Sequence, residues 1–130
     1  MTAHRKIVTA LDAPAAIGPY SHAVASGGVL YCSGQIPLDP TSGELVGETP
    51  AEQARQCLTN LAAVCAAAGA QLADALQVTV YLTDMGAFAE VNEVYASFFE
   101  SDPPARIAIA VAALPLGSQV EVAALVALPG

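Results

Sequence analysis

The last part of the chain carries two charged side chains whose surroundings indicate a functional role. Between residues 103 and 130 the only charged residues are Arg106 and Glu121, and each lies in a run of Ile, Val, Ala and Leu that predicts a buried strand. A desolvated guanidinium or carboxylate is costly unless it meets a partner. We therefore expect this pair to be retained for a function. Arg106 has few competitors as an anion ligand, because the chain contains four basic residues.

Arg106 has the chemistry and the space to bind a carboxylate. Side chains alternate between the two faces of a strand, so Arg106 shares its face with Ala108, Ala110 and Ala112, which leave room beside the guanidinium. The planar, forked guanidinium matches a carboxylate through a pair of parallel hydrogen bonds. The alternative is a structural ion pair with one of the twelve acidic residues.

Glu121 is the candidate group for proton transfer. Burial raises the pKa of a carboxyl group and a nearby arginine lowers it, so a glutamate between these influences can activate a water molecule near neutral pH. The alternative is a plain ion pair with Arg106. If the last two strands formed a hairpin, the two residues would be offset by roughly 13 to 17 Å at ~3.3 Å per residue. Either these strands are not neighbours, or a site that uses both residues takes one from each of two subunits.

Weaker candidates stand in glycine-bearing turns, at the end of a predicted strand or in a helix, where a ligand can be approached. They are Tyr20 with Ser21, Ser33 with Gly34, and Asn92. A hydroxyl at a turn is more often a local capping group than a ligand contact. The sequence contains no nucleotide fingerprint, phosphate loop or nucleophile elbow.

The elements that must position these residues follow a regular order. Periodicity predicts six strands, near residues 6–9, 21–25, 29–34, 77–82, 106–112 and 119–127. Gly27-Gly28 predicts a hairpin between the second and third strands. One helix is predicted from the cap Thr49 to Gly69, and another from Asp84 to about residue 100. The order predicts a single α+β domain, residues 1–130, with a six-stranded mixed sheet and both helices on one face.

Composition argues against several classes of function. The net charge of -8 leaves no basic surface for a nucleic acid. Hydrophobic residues make up 55% of the chain and charged residues 12%, so we expect a homo-oligomer in which a partner covers the free face of the sheet. The sequence shows neither a membrane span nor a secretory pattern, so the expected location is the cytoplasm.

The cysteines and histidines predict neither a metal site nor a disulfide framework. Cys32, Cys57 and Cys65 are odd in number, lack a Cys-x-x-Cys pair and are interpreted as small buried side chains. His4 and His22 are remote from any cysteine cluster. His22 also lacks an orienting carboxylate at a recognisable spacing, which argues against a hydrolase dyad.

Six motifs span nearly the whole chain. In order they are Ala16-Ile17-Gly18-Pro19-Tyr20-Ser21, Ser33-Gly34-Gln35-Ile36-Pro37-Leu38, Thr79-Val80-Tyr81-Leu82-Thr83-Asp84-Met85, Val91-Asn92-Glu93-Val94-Tyr95, Pro104-Ala105-Arg106 and Val120-Glu121-Val122. In this order they resemble the Rid family of reactive intermediate deaminases. Together these motifs are specific, although each alone means little.

The resemblance implies a chorismate-mutase-like fold assembled as a homotrimer, with ligand sites in clefts between subunits. It implies hydrolysis of 2-imino acids or their enamine tautomers, such as 2-iminobutanoate or 2-iminopropanoate, to 2-keto acids and ammonia, without a cofactor or metal. Arg106 would clamp the substrate carboxylate and Glu121 would act on the hydrolytic water. The remaining ligand-contacting positions would be Tyr20, Ser33, Gly34, Asn92 and Ala108.

One position departs from many members of the family, which carry a cysteine where this chain has Ala108. A second function is compatible with the same residues, namely a 2-keto-acid-binding or chaperone-like module that uses Arg106 without turnover. The ribonuclease activity attached to some relatives conflicts with the acidic charge of this chain.

Overall fold

The computed structural model describes residues 3–130 and confirms the predicted order of elements. The helices are α1 (Pro50–Ala67) and α2 (Phe88–Phe98). The strands are β1 (Lys6–Val8), β2 (Ala23–Ser26), β3 (Val29–Gln35), β4 (Ala75–Leu82), β5 (Ala105–Ala110) and β6 (Val120–Ala127).

The six strands form one mixed sheet in the order β1-β2-β3-β6-β4-β5. Only the pairing of β4 with β5 is parallel among these strands, and α2 provides the crossover that a parallel connection requires. The last two strands are therefore not neighbours, because β4 lies between them. This confirms one of the two arrangements that the sequence left open.

Local sequence explains the two elements that were predicted most fully. Gly27 and Gly28 adopt φ values of +59° and +79°, the conformation that a two-residue hairpin turn requires, and β2 pairs with β3 on either side of them. At the start of α1 the Thr49 side chain accepts a hydrogen bond from the Glu52 backbone, and the Glu52 carboxylate accepts one from the Thr49 backbone. This reciprocal capping, with Pro50 in the first turn, fixes where α1 begins.

The second helix differs slightly from its prediction. Asp84 accepts a hydrogen bond from the Gly86 backbone and so caps a 3₁₀ turn, Met85–Ala87, rather than α2 itself. The α-helix begins only at Phe88 and ends at Phe98.

Both helices cover one face of the sheet, as predicted. The core contains valines and leucines from β4 and β6 that alternate with less buried residues, among them Val78, Leu82, Val120 and Val126, all at 0% exposure. Leu61 of α1 packs into the same core. Cys32, Cys57 and Cys65 are buried and free.

The opposite face of β3 to β6, which we call the open face, is largely apolar and only partly covered. Tyr31, Ile107 and Ile109 belong to it and are 49%, 42% and 41% exposed. Among the strand residues described on this face of β3 to β6, Glu121 is the only charged one. No helix within residues 3–130 has both the length and the apolar character needed to cross a membrane.

Candidate functional site

Glu121 lies in a cavity of about 320 Å³ beside the end of β3 and the start of β6. We call this the Glu121 cavity. Its polar lining includes three of the predicted residues, namely Tyr20, Ser33 and Glu121, and Gly34 contributes backbone. The apolar part of the lining comes from Ile17, Ile36, Leu38 and Pro115 among others. Sequence reasoning had not assigned these four apolar residues to the site.

A bulge in β3 brings backbone against the glutamate. Two residues of β3, Ser33 and Gly34, lie between the pairs formed by Cys32 and Gln35, whereas β6 has one residue there. A Cβ atom on Gly34 would overlap the Glu121 carboxylate. A glycine at position 34 therefore lets the Glu121 carboxylate keep this position.

Desolvation defines the electrostatics of Glu121. The side chain is half-buried, and this desolvation raises the pKa of the carboxyl group above its ordinary value of 4.5. A raised pKa brings protonation closer to neutral pH, which suits a group that exchanges protons with substrate or water.

Tyr20 and Ser33 are tied to nearby backbone, as hydroxyl groups at turns often are. The Ser33 hydroxyl donates to the Ser21 carbonyl at 2.6 Å, and the Tyr20 hydroxyl accepts from the Ile17 backbone N–H at 3.3 Å. Both residues nevertheless line the cavity. His22 lies outside it, with its ring nitrogens bonded to the backbone of Ala10 and Pro14.

Buried amides of α1 hold the walls of the Glu121 cavity. The Asn60 side chain donates to the Leu38 carbonyl at 2.9 Å, and the Gln53 side chain accepts from the Gln119 backbone N–H at 2.7 Å. Gln53 and Asn60 are 5% and 0% exposed. These bonds fix the segment after β3 and the residue before β6 against the same helix.

Arg106 occupies a different environment from the one predicted. The strand was expected to be buried, but β5 is an edge strand and Arg106 is exposed within the single chain. Composition alone does not distinguish an edge strand from a central one, which explains the error. The guanidinium Nη1 donates to the Asn92 Oδ1 at 2.5 Å, and its carbon lies 5.2 Å from the Phe88 ring centre and 4.9 Å from that of Tyr95.

These contacts bear on the alternatives for Arg106 and Asn92. Within residues 3–130 the only side chain that hydrogen-bonds to Arg106 is the neutral amide of Asn92, so the predicted alternative of a structural ion pair is not what the chain forms. Asn92, which the resemblance places against the ligand, contacts the arginine. Tyr95 belongs to the core and Phe88 packs against it, which is what their spacing along α2 predicts, and the position of Asn92 between them was the available signal for a polar contact.

Arg106 and Glu121 lie on opposite faces of the same sheet. Arg106 pairs with Val78, which faces the helices, whereas Glu121 pairs with Tyr81 on the open face. The two positions are separated by about 10 Å along the strands and a further ~10 Å across them. Arg106 and Glu121 of one chain therefore do not form the alternative ion pair. Ala108 pairs with Val80, so it lies on the face of Arg106 and is partly buried there.

Comparison with known proteins supplies the family. The family model described as Endoribonuclease L-PSP matches residues 10–128. This chain belongs to the Rid (endoribonuclease L-PSP) family. That result confirms the resemblance carried by the six motifs.

Several members of the Rid family are similar to this chain over most of their length. The "2-iminobutanoate/2-iminopropanoate deaminase" of Mus musculus is 48% identical over 121 residues, which cover 93% of this chain and 90% of the relative. The "RutC family protein y4sK" of Sinorhizobium fredii is 49% identical over 117 residues, covering 90% and 93%. The crystal structure of E. coli TdcF with bound serine has a TM-score of 0.90 at 38% identity, covering 95% of this chain and 99% of that one.

Within residues 3–130 no three His, Cys, Asp or Glu side chains are grouped so that they could hold a metal ion.

Proposed function

We propose that this Rid protein hydrolyses 2-imino acids, or their enamine tautomers, to 2-keto acids and ammonia, in a site that two copies of the chain complete. The observation that carries the proposal is the separation of two complementary parts. An exposed guanidinium suited to a carboxylate lies on one face, and a half-buried carboxylate in a cavity lies on the other. The names of the mammalian relatives, at 46% to 48% identity, support this reaction.

The same separation supports the proposed assembly. The Arg106 of one copy would approach the Glu121 cavity of a second, and the apolar open face, with Ile107 and Ile109 partly exposed, would be buried between copies. We propose a homotrimer, as the resemblance implies. Its mass in solution should be three times the 13.1 kDa of one chain, and sedimentation or light scattering would measure it.

The chemistry requires few groups because an iminium carbon is already electrophilic. Arg106 would hold the substrate carboxylate through paired hydrogen bonds, which fixes the position of the carbon beside it. Glu121 in its charged form would accept a proton as water forms the new C–O bond and the C=N double bond becomes single. Return of that proton to nitrogen would make ammonia a leaving group. As the C–N bond breaks, the hydroxyl group would give its proton to Glu121 or to water and its O–H electron pair would complete the C=O double bond.

Generation of the imine in situ tests the activity. An amino-acid oxidase or a dehydratase would supply 2-iminobutanoate, and release of 2-oxobutanoate would be timed with and without the protein. Acceleration over buffer supports the deaminase. Binding of 2-oxobutanoate without acceleration would instead support the keto-acid-binding module. RNA incubated under the same conditions should remain intact, given the net charge of -8.

Mixing of two inactive variants tests whether the site is shared between copies. Arg106→Ala and Glu121→Gln each remove one part of the site, but a mixed assembly would contain sites with both intact residues. Exchange of subunits should therefore restore part of the activity that each variant lacks alone. If the mixture stays as inactive as its components after exchange has been demonstrated, the shared site is wrong.

A further inference from the structure

We propose that Phe88, Asn92 and Tyr95 are positioning residues that fix the Arg106 guanidinium for carboxylate recognition. We call these three residues the Arg106 cradle. The inference rests on the proposed function, because it takes Arg106 as the carboxylate ligand. It adds that the arginine is held in place before the substrate arrives, by a surface of α2 that also packs against the core.

The placement of the cradle follows from the sheet and the helix together. Residues spaced by four and by three positions lie on one face of a helix, which is the spacing of Phe88, Asn92 and Tyr95. Arg106 pairs with Val78 in the parallel ladder, so its side chain faces the same side of the sheet as α2. The outcome is a guanidinium that contacts two aromatic rings and one amide oxygen.

Each contact restricts the arginine without cancelling its charge. Aromatic faces attract the cation through their quadrupole, and the rings lie 5.2 Å and 4.9 Å from the guanidinium carbon. Asn92 is neutral and accepts from Nη1 alone, so within residues 3–130 the remaining N–H groups have no side-chain acceptor. An exposed arginine would otherwise lose rotamer freedom on binding. With the cradle, this entropy cost of ordering Arg106 is met when the chain folds and not when the substrate binds.

Tyr95 contacts Arg106 through its ring and not through its hydroxyl group. It is 6% exposed, and its hydroxyl has no hydrogen-bond partner within residues 3–130. Burial raises the pKa of Tyr95, and the charge of Arg106 opposes part of this rise. The ring, rather than the hydroxyl, is therefore the group that contacts Arg106.

Steady-state kinetics of four variants test the cradle. Phe88→Leu and Tyr95→Leu remove a ring, Asn92→Asp turns the amide into a competing carboxylate, and Tyr95→Phe keeps the ring. Each of the first three should raise KM for the imino acid on the order of tenfold, which corresponds to about 1.4 kcal/mol, with much smaller changes in kcat. Tyr95→Phe should recover most of the affinity that Tyr95→Leu loses.

Phe98→Leu is the matched control. Phe98 lies on the same helix and its ring contacts a different arginine, Arg55, at 5.9 Å. Loss of this ring should leave KM unchanged if the effect is specific to Arg106. Thermal unfolding of every variant would identify one that fails to fold. Phe88 is only partly buried and Asn92 is exposed, so their substitutions keep the test available if Tyr95→Leu is unstable.

Rescue of Arg106→Ala by added guanidinium distinguishes a positioning role of the cradle from a purely structural one. In Arg106→Ala the cradle should bind free guanidinium and regain part of the lost acceleration, whereas methylammonium should rescue less. Adding Tyr95→Leu should abolish the rescue, and adding Tyr95→Phe should not.

The possible results separate the cradle from the function. If the wild-type protein accelerates deamination and Phe88→Leu, Tyr95→Leu and Asn92→Asp all keep its KM, the cradle is refuted and the deaminase stands. If the wild-type protein gives no acceleration, the function is refuted. The affinities of the same variants for 2-oxobutanoate, measured by calorimetry, would then test the positioning role of the cradle. A tenfold loss of affinity supports that role, and unchanged affinity refutes it.

Discussion

The Glu121 cavity and the Arg106 cradle are held in place by different parts of the fold. Backbone contacts shape the cavity, through a bulge at Ser33 and Gly34 and through hydrogen bonds from buried amides of α1 to the backbone of Leu38 and Gln119. The cradle depends on side chains, since one hydrogen bond and two aromatic rings hold an arginine on an exposed edge strand.

This difference separates two requirements of catalysis. A group that transfers a proton must be partly desolvated and closely positioned, which backbone contacts achieve. A group that receives a substrate carboxylate must keep free donors and an open approach. Substitutions at Glu121 should consequently lower kcat, whereas substitutions at Arg106 should mainly raise KM.

The largest effect is expected for Arg106→Ala. Loss of the guanidinium should lower kcat/KM on the order of a thousandfold, with most of the loss in KM, because the substrate carboxylate loses its charged partner. The assembly should stay intact by sedimentation. Arg55→Ala is the control, since it removes another exposed arginine and should leave the kinetics unchanged. Equal kinetics for Arg106→Ala and the wild type would remove Arg106 from the site.

Glu121→Gln should lower kcat by about a hundredfold with little change in KM, because it removes the proton acceptor. The wild-type rate should fall as the pH drops through the raised pKa of Glu121, above its ordinary value of 4.5, since the protonated carboxyl no longer accepts a proton. The residual rate of the variant should lack this dependence. Identical pH profiles would contradict the role, and Glu44→Gln in an exposed loop provides the control.

Gly34→Ala should reduce kcat roughly tenfold by displacing the Glu121 carboxylate, which a Cβ atom would overlap. The cost in stability should be small, because the end of a flexible side chain can move aside. Gly18→Ala is a milder comparison, as its Cβ would meet the Tyr20 ring at an ordinary 3.5 Å. If Gly34→Ala lowered the free energy of unfolding strongly and left kcat unchanged, the close approach would serve stability and not catalysis.

The smallest effect concerns stability and pH. The raised pKa of Glu121 means that its charged form is disfavoured in the folded state, so the wild type should gain stability as the pH falls from the raised pKa toward 4.5. Glu121→Gln should remove this gain. The difference should be less than about 1 kcal/mol, because solvent screens a half-exposed group. Urea unfolding at several pH values would measure the difference. A wild-type protein that loses stability as the pH falls over this interval would contradict the prediction.

Sequence alone predicted what depends on neighbours along the chain. The capped start of α1, the glycine hairpin and the alternation in β4 and β6 are local patterns, and the structure confirms each of them. The exposure of Arg106 was missed because it depends on strand order, which places β5 at an edge through pairing with a strand far from it in sequence. The cradle was missed because an aromatic stripe on a helix has the same pattern whether it meets apolar side chains or a guanidinium.

The crossover from β4 through α2 to β5 has a consequence for how this protein can change. Arg106 and the three α2 side chains that contact it fall within residues 88–106, one continuous stretch of 19 positions. The Glu121 cavity is assembled from three stretches that are distant in sequence, within residues 14–20, 33–38 and 115–121. Exchange of the first stretch between homologues would alter recognition of the acid group as one module, whereas selectivity for the rest of the substrate would have to evolve through several coordinated substitutions.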